Sequence, residues 1–201
     1  MKEAIRFHFD FSSPYGYLAS EKIEEVARRY DRDVDWRPML LGVVFKQTGG
    51  APLTSIPLKG DYSRRDMLRS ARFHGIADFR FPSKFPLPTQ AAARMVLWSK
   101  RNAPERTPSV VHQLYRAFFA EDRDISDPDI AADAAARAGV DRATIRAAVD
   151  DPVMKDALKQ ECEAAIAAGV FGSPFIVVDG EPFWGLDRLA QVERWLATGG
   201  F

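Results

Sequence analysis

Between residues 4 and 19 the chain changes its hydrophobic rhythm, and that change restricts the fold more than any other stretch. Ile5, Phe7 and Phe9 alternate with Arg6 and His8, the period of two that marks a strand. At Asp10-Phe11-Ser12-Ser13-Pro14 the alternation stops, and from Tyr15 apolar residues recur at helical spacing through Leu18, Ala19, Ile23, Val26 and Ala27. Ser13 suits an N-cap, and Pro14 suits the first helical position, where a missing N–H costs nothing. A short second strand is expected at 34–37, ended by Pro38. The chain opens β-α-β.

The far end keeps a different rhythm. An apolar run at 174–178 meets the turn signal Asp179-Gly180, and 182–184 can return as a second strand. A helix is expected over about 186–197, with Leu189, Val192, Trp195 and Leu196 as its stripe. Between the two ends the spacing is helical, in segments 62–74, 89–101, 108–121, 127–138, 141–149 and 152–168, punctuated by proline. A β-α-β unit, a helical middle and a β-β-α unit together describe an α/β fold: a thioredoxin-like domain interrupted by an all-helical insertion. The discontinuous thioredoxin-like domain then takes residues 1–38 and 169–201, and a connecting segment with the insertion takes 39–168.

Charge and cysteine content narrow the functional classes. Among 201 residues, 28 Lys and Arg balance 28 Asp and Glu, which argues against a general nucleic-acid binder. The single cysteine, Cys162, rules out an intramolecular disulfide or a C-x-x-C pair, and its mid-helix position suits packing. No stretch reaches the roughly 18 apolar residues of a membrane span, and none reads as a secretory signal, so a cytoplasmic location is expected. His8, His74 and His112 are scattered, so no metal site is expected.

Three places carry candidate chemistry. Ser13 lies where a strand hands over to a helix, and unpaired N–H groups and the helix dipole favour an anion there. Its hydroxyl suits donation to a thiolate brought by a ligand, glutathione being the common cellular candidate; it serves equally as a plain cap. Ser173-Pro174 opens the presumed third strand and is a candidate cis bond, which would turn the Ser173 backbone outward to pair with an extended peptide. A trans proline at a strand start is the alternative. Asp187, in Trp184-Gly185-Leu186-Asp187, suits either a ligand ammonium or a helix cap. Lys46 suits a carboxylate or plain solvation, and Phe11, Phe45 and Trp98 offer an apolar wall.

Taken in order, Asp10 to Leu18, Phe171-Gly172-Ser173-Pro174-Phe175 and Phe183 to Leu189 closely resemble the 2-hydroxychromene-2-carboxylate isomerase family, akin to kappa-class glutathione transferases. The likeness extends through Pro38–Lys46, Lys59-Gly60-Asp61-Tyr62 and Glu193-Arg194-Trp195-Leu196. It implies a homodimer with glutathione as cofactor and a small aromatic carboxylate as substrate, isomerised by reversible thiolate addition. By the same likeness, Ser13 contacts the glutathione sulfur and Ser173, before a cis Pro174, pairs with the tripeptide. Trp184, Gly185, Leu186 and Asp187 hold its γ-glutamyl end, Lys46 assists with a carboxylate, and a residue near Thr54 fills a further ligand position. Leu186 stands where the family often has Asn, so a side-chain contact is lost there. The alternative is a kappa-like transferase or peroxidase that consumes glutathione. A protein-disulfide oxidoreductase fails because Ser12 and Ser13 replace any thiol at the junction. A non-catalytic binding module would bind no glutathione.

Overall fold

The computed structural model describes residues 2–201. Strand β1 (Ile5–Phe9) leads through the Asp10–Ser13 junction into helix α1 (Pro14–Arg29) and strand β2 (Val34–Pro38). Near the other end, β3 (Phe175–Val178) and β4 (Glu181–Trp184) form a hairpin, followed by a 3-10 turn at Leu186–Arg188 and helix α9 (Leu189–Thr198). The sheet order is β2-β1-β3-β4, with β1 parallel to β2 and antiparallel to β3. This is a thioredoxin-like fold with helices inserted between β2 and β3, the class the element order predicts. Among the described residues no helix is long and apolar enough to cross a membrane.

The cap expected at Ser13 forms: its side chain accepts from the Gly16 N–H, and Pro14 begins the helix. Both edge strands carry a proline, Pro38 and Pro182, at positions where a ladder tolerates the missing donor. Between β2 and β3 the helices are α2 (Leu41–Thr48), α3 (Lys59–Phe73), α4 (Gln90–Asn102), α5 (Thr107–Phe119), α6 (Pro128–Ala136), α7 (Arg142–Ala147) and α8 (Pro152–Ala167). Six of these seven lie within three residues of the expected segments; α2 is new, and the closing helix begins as a 3-10 turn.

Both faces of the sheet are covered. Phe7 and Phe9 pack edge-on against Trp36, at 5.2 and 5.8 Å between ring centres, and lead into a core shared by α1, α4, α5 and α6. On the other face Phe175 and Val177 join Leu158, Cys162 and Ala165 of α8. The alternation in β1 therefore separates two interiors, and His8 is only 4% exposed. Burial pushes its pKa down to about 4, helped by Arg37 and Arg6, so the ring is neutral near pH 7. Cys162 fills the second core as a packing residue, its thiol pKa raised by burial.

Candidate active site

The C-terminal end of β1, the N-terminal end of β3 and the C-terminal end of β4 lie side by side, because β3 runs against both neighbours. That register alone brings Ser13, Ser173 and Trp184 to one cavity of about 440 Å³. Leu41 and Phe45 of α2, Ile56 and Met67 beside and on α3, and Phe85-Pro86 complete its walls. Among the described residues none of its lining is charged.

Ser13 is 5% exposed and forms part of this wall. Its Oγ accepts from the Gly16 N–H at 3.0 Å and donates to the Ser173 carbonyl at 2.8 Å. The peptide Ser173-Pro174 is cis, as the sequence suggests. The Ser173 carbonyl, however, turns inward onto Ser13, and the Ser173 hydroxyl accepts from the Asp10 N–H at 3.1 Å. Tyr15, at the second position of α1, lines the cavity, and its N–H has no acceptor within the helix. The α1 dipole therefore points its positive end at whatever enters, while the Ser13 hydroxyl, bonded to the Ser173 carbonyl, lies beside it in the wall.

Two glycines permit this crowding. A Cβ on Gly16 would lie 2.7 Å from the Tyr115 hydroxyl and 2.9 Å from Ser173 Oγ. One on Gly172 would lie 2.2 Å from Trp184 Nε1. Trp184 is 53% exposed and meets the Phe171 ring edge-on at 4.9 Å, forming the cavity's outer rim.

The other expected residues fall in several places. Thr54 lines the cavity from the 3-10 turn Leu53–Ser55, with Gly60 close against its carbonyl. Lys46 is exposed on the last turn of α2 and lines an adjoining cleft of about 350 Å³, which shares Ser12, Leu41, Phe45, Pro52 and Pro86 with the cavity. Gly185 takes a φ of 110° and donates to the Pro174 carbonyl at 3.0 Å, tying β4 to the cis bond. Leu186 is buried in the main core and offers no side chain to a ligand. Asp187 is exposed outside the cavity, beside Arg188. Of the expected apolar wall only Phe45 holds. Phe11 is buried against Tyr115 at 4.6 Å between rings, and Trp98 packs on the main core.

Two features escaped the sequence reading. Tyr15 donates to Asp66 of α3 at 2.6 Å, and Asp66 pairs in turn with Arg69, fastening α3 to the start of α1. Phe85-Pro86, a second cis peptide, supplies a wall from a segment far from Ser13 in sequence. A local signal existed for neither, although Tyr15 sits two residues from Ser13 and faces the same end of the helix.

Residues 4–197 match the model of a DSBA-like thioredoxin domain. Over 213 aligned residues the chain is 26% identical to glutathione S-transferase kappa 1 of Homo sapiens, covering 98% of this chain and 94% of that one. It is 25% identical to a 2-hydroxychromene-2-carboxylate isomerase of Pseudomonas putida over 94% of this chain and 92% of the relative. A solved 2-hydroxychromene-2-carboxylate isomerase superposes with a TM-score of 0.84 at 24% identity, covering 96% of this chain and 94% of the other.

Proposed function

Because the chain belongs to the family of DSBA-like thioredoxin domains, we propose that it uses the thiol site of that scaffold without a thiol of its own, as a glutathione-dependent isomerase. The observation that carries this reading is the Ser13 hydroxyl, set at the N-terminus of α1 in the wall of an apolar cavity whose lining has no cysteine among the described residues. The similarity to isomerases and kappa-class transferases at about a quarter identity supports the same class.

The residues present suit glutathione at its sulfur end. Ser13 offers a hydroxyl proton that can be drawn from the Ser173 carbonyl, and Tyr15 an N–H with no acceptor within the helix, and both favour an anion over a neutral thiol. Lys46 in the adjoining cleft would hold a carboxylate, and Trp184 would flank the peptide. Bound glutathione would supply a thiolate that adds reversibly to a conjugated carbon and is returned. The chain's own part is to hold that anion by hydrogen bond and dipole, to exclude water with Leu41, Phe45, Met67 and Phe85, and to orient a flat conjugated substrate. A substrate of the chromene-carboxylate type would lay its rings in the cavity and its carboxylate toward Lys46.

The uncharged lining favours a second reading, a transferase that joins glutathione to a neutral electrophile. Counting glutathione before and after turnover separates the two. The central test is Ser13→Ala. The variant is expected to fold, with about 1 kcal/mol lost from the helix cap, and to lose about a hundredfold to a thousandfold in kcat. Calorimetric titration of glutathione into both proteins accompanies the assay. Unchanged binding and turnover in the variant would remove Ser13 from the mechanism.

A further inference from the structure

Asp10 stands directly after β1 and three residues before Ser13, and it is only 3% exposed. All of its polar atoms are engaged. Its N–H donates to Ser173 Oγ, and its carbonyl accepts from the Ser13 N–H at 2.9 Å and from the Tyr115 hydroxyl at 3.0 Å. Its Oδ1 accepts from the Ser12 N–H at 2.9 Å and the Thr89 hydroxyl at 2.7 Å, and its Oδ2 accepts from the Leu41 N–H at 2.6 Å. The side chain thus ties the Ser13 junction to the first residue of α2 and to the segment that follows Phe85-Pro86.

Helix α2 has no cap of its own: residue Leu40 occupies the N-cap position and makes no side-chain hydrogen bond. Its first N–H is satisfied from 31 residues away by Asp10. That helix carries Leu41 and Phe45 into the cavity wall and Lys46 into the neighbouring cleft. We infer that Asp10 is a positioning residue, whose carboxylate sets α2 against the Ser13 junction and thereby fixes the spacing between the thiol site and Lys46.

Burial pushes the Asp10 pKa up, while the hydrogen bonds from Ser12, Leu41 and Thr89 act the other way, and this all-donor surrounding singles out a carboxylate. Three donors face the side chain, and two of them are backbone N–H groups that cannot turn away. An amide of the same size has one acceptor oxygen and one NH₂, so Asp10→Asn must set a donor against either Ser12 or Leu41. One backbone tie is lost in each orientation, while the shape of the core is kept.

The test compares wild type, Asp10→Asn and Ile145→Val, the last a destabilised control whose buried side chain lies on the remote α7. Amide hydrogen exchange is read on the unliganded proteins, and glutathione binding by calorimetry. In Asp10→Asn the Leu41 or Ser12 amide is expected to exchange at least about tenfold faster, the scale of one lost charge-assisted hydrogen bond, while α6 and α7 keep their protection. Glutathione affinity is expected to fall by a similar factor, and Ile145→Val is expected to leave it near wild type. Protection at Leu41 and Ser12 equal to wild type would overturn the inference, and so would a uniform loss across all helices. The inference rests on the proposed function in taking Ser13 and Lys46 as ligand-holding groups and in using glutathione as probe. A wild-type protein that binds none would sink that function, whereas the exchange data still decide the role of Asp10.

Discussion

His112 of α5 projects between two carboxylates of α1, with Nε2 2.6 Å from Glu24 and Nδ1 3.3 Å from Glu21. Its ring also stands edge-on to Trp36 at 5.7 Å. Burial by itself lowers the pKa of this ring, yet hydrogen bonds and charge from Glu21 and Glu24 outweigh that and raise it to about 9. The folded chain therefore holds this proton more tightly than the unfolded chain, where the pKa is 6.5. The resulting stabilisation is complete below pH 6.5 and is lost as the pH climbs through about 9. A separation of that size corresponds to about 3 kcal/mol, with the side chain 23% exposed and so only partly screened. Chemical denaturation of wild type and His112→Gln, at about pH 6 and again at about pH 10, isolates the effect. Tyrosine and lysine titrations are common to both proteins and cancel in the difference. Wild type is expected to lose about 3 kcal/mol more than the variant across this window. Parallel pH profiles would refute the account of the triad.

Two further outcomes follow from the same packing. His8 lies buried with neither ring nitrogen hydrogen-bonded among the described residues, and its pKa is depressed to about 4. Its neutral form therefore adds stability that is present above pH 6.5 and declines as the pH falls toward 4. Replacement by Leu should flatten the acid limb of a denaturation profile, and an unchanged limb would contradict it. Gly172→Ala sets a methyl within 2.2 Å of Trp184 Nε1, and the half-exposed indole can swing outward. The variant should keep its melting temperature within a few degrees, change its tryptophan fluorescence and weaken glutathione binding; unaltered fluorescence and affinity would show that the indole does not bound the site.

The β1-junction-α1 unit was legible because its signals are local: a period-two strand, then Ser13 and Pro14 in the order a helix start requires. The convergence of Ser13, Ser173 and Trp184 is implied only by the family resemblance, because the strand register that produces it is a tertiary feature with no local signal. Helix α2 was not legible, for a physical reason. It spans eight residues, buries only Val44 and takes its cap from Asp10 across the fold, so nothing within 41–48 announces it. Phe11 and Trp98 are apolar residues near the right segments, but tertiary packing decides which interior each one fills, and it turned both away from the cavity. Leu186 departs from the family pattern, and its burial shows the side chain serving the core.

The mutual bond between the Ser13 hydroxyl and the Ser173 carbonyl has a bearing on selectivity. The hydroxyl proton is committed to an amide oxygen, so the cavity wall presents no unmet polar demand at that point. A newcomer must outbid an amide oxygen for that one proton. A neutral thiol, a weak acceptor, is poorly matched for the contest, whereas an ionised sulfur is well matched. For glutathione, the ligand proposed for this site, that mutual bond would act as a filter on charge state, favouring an ionised sulfur over the neutral thiol.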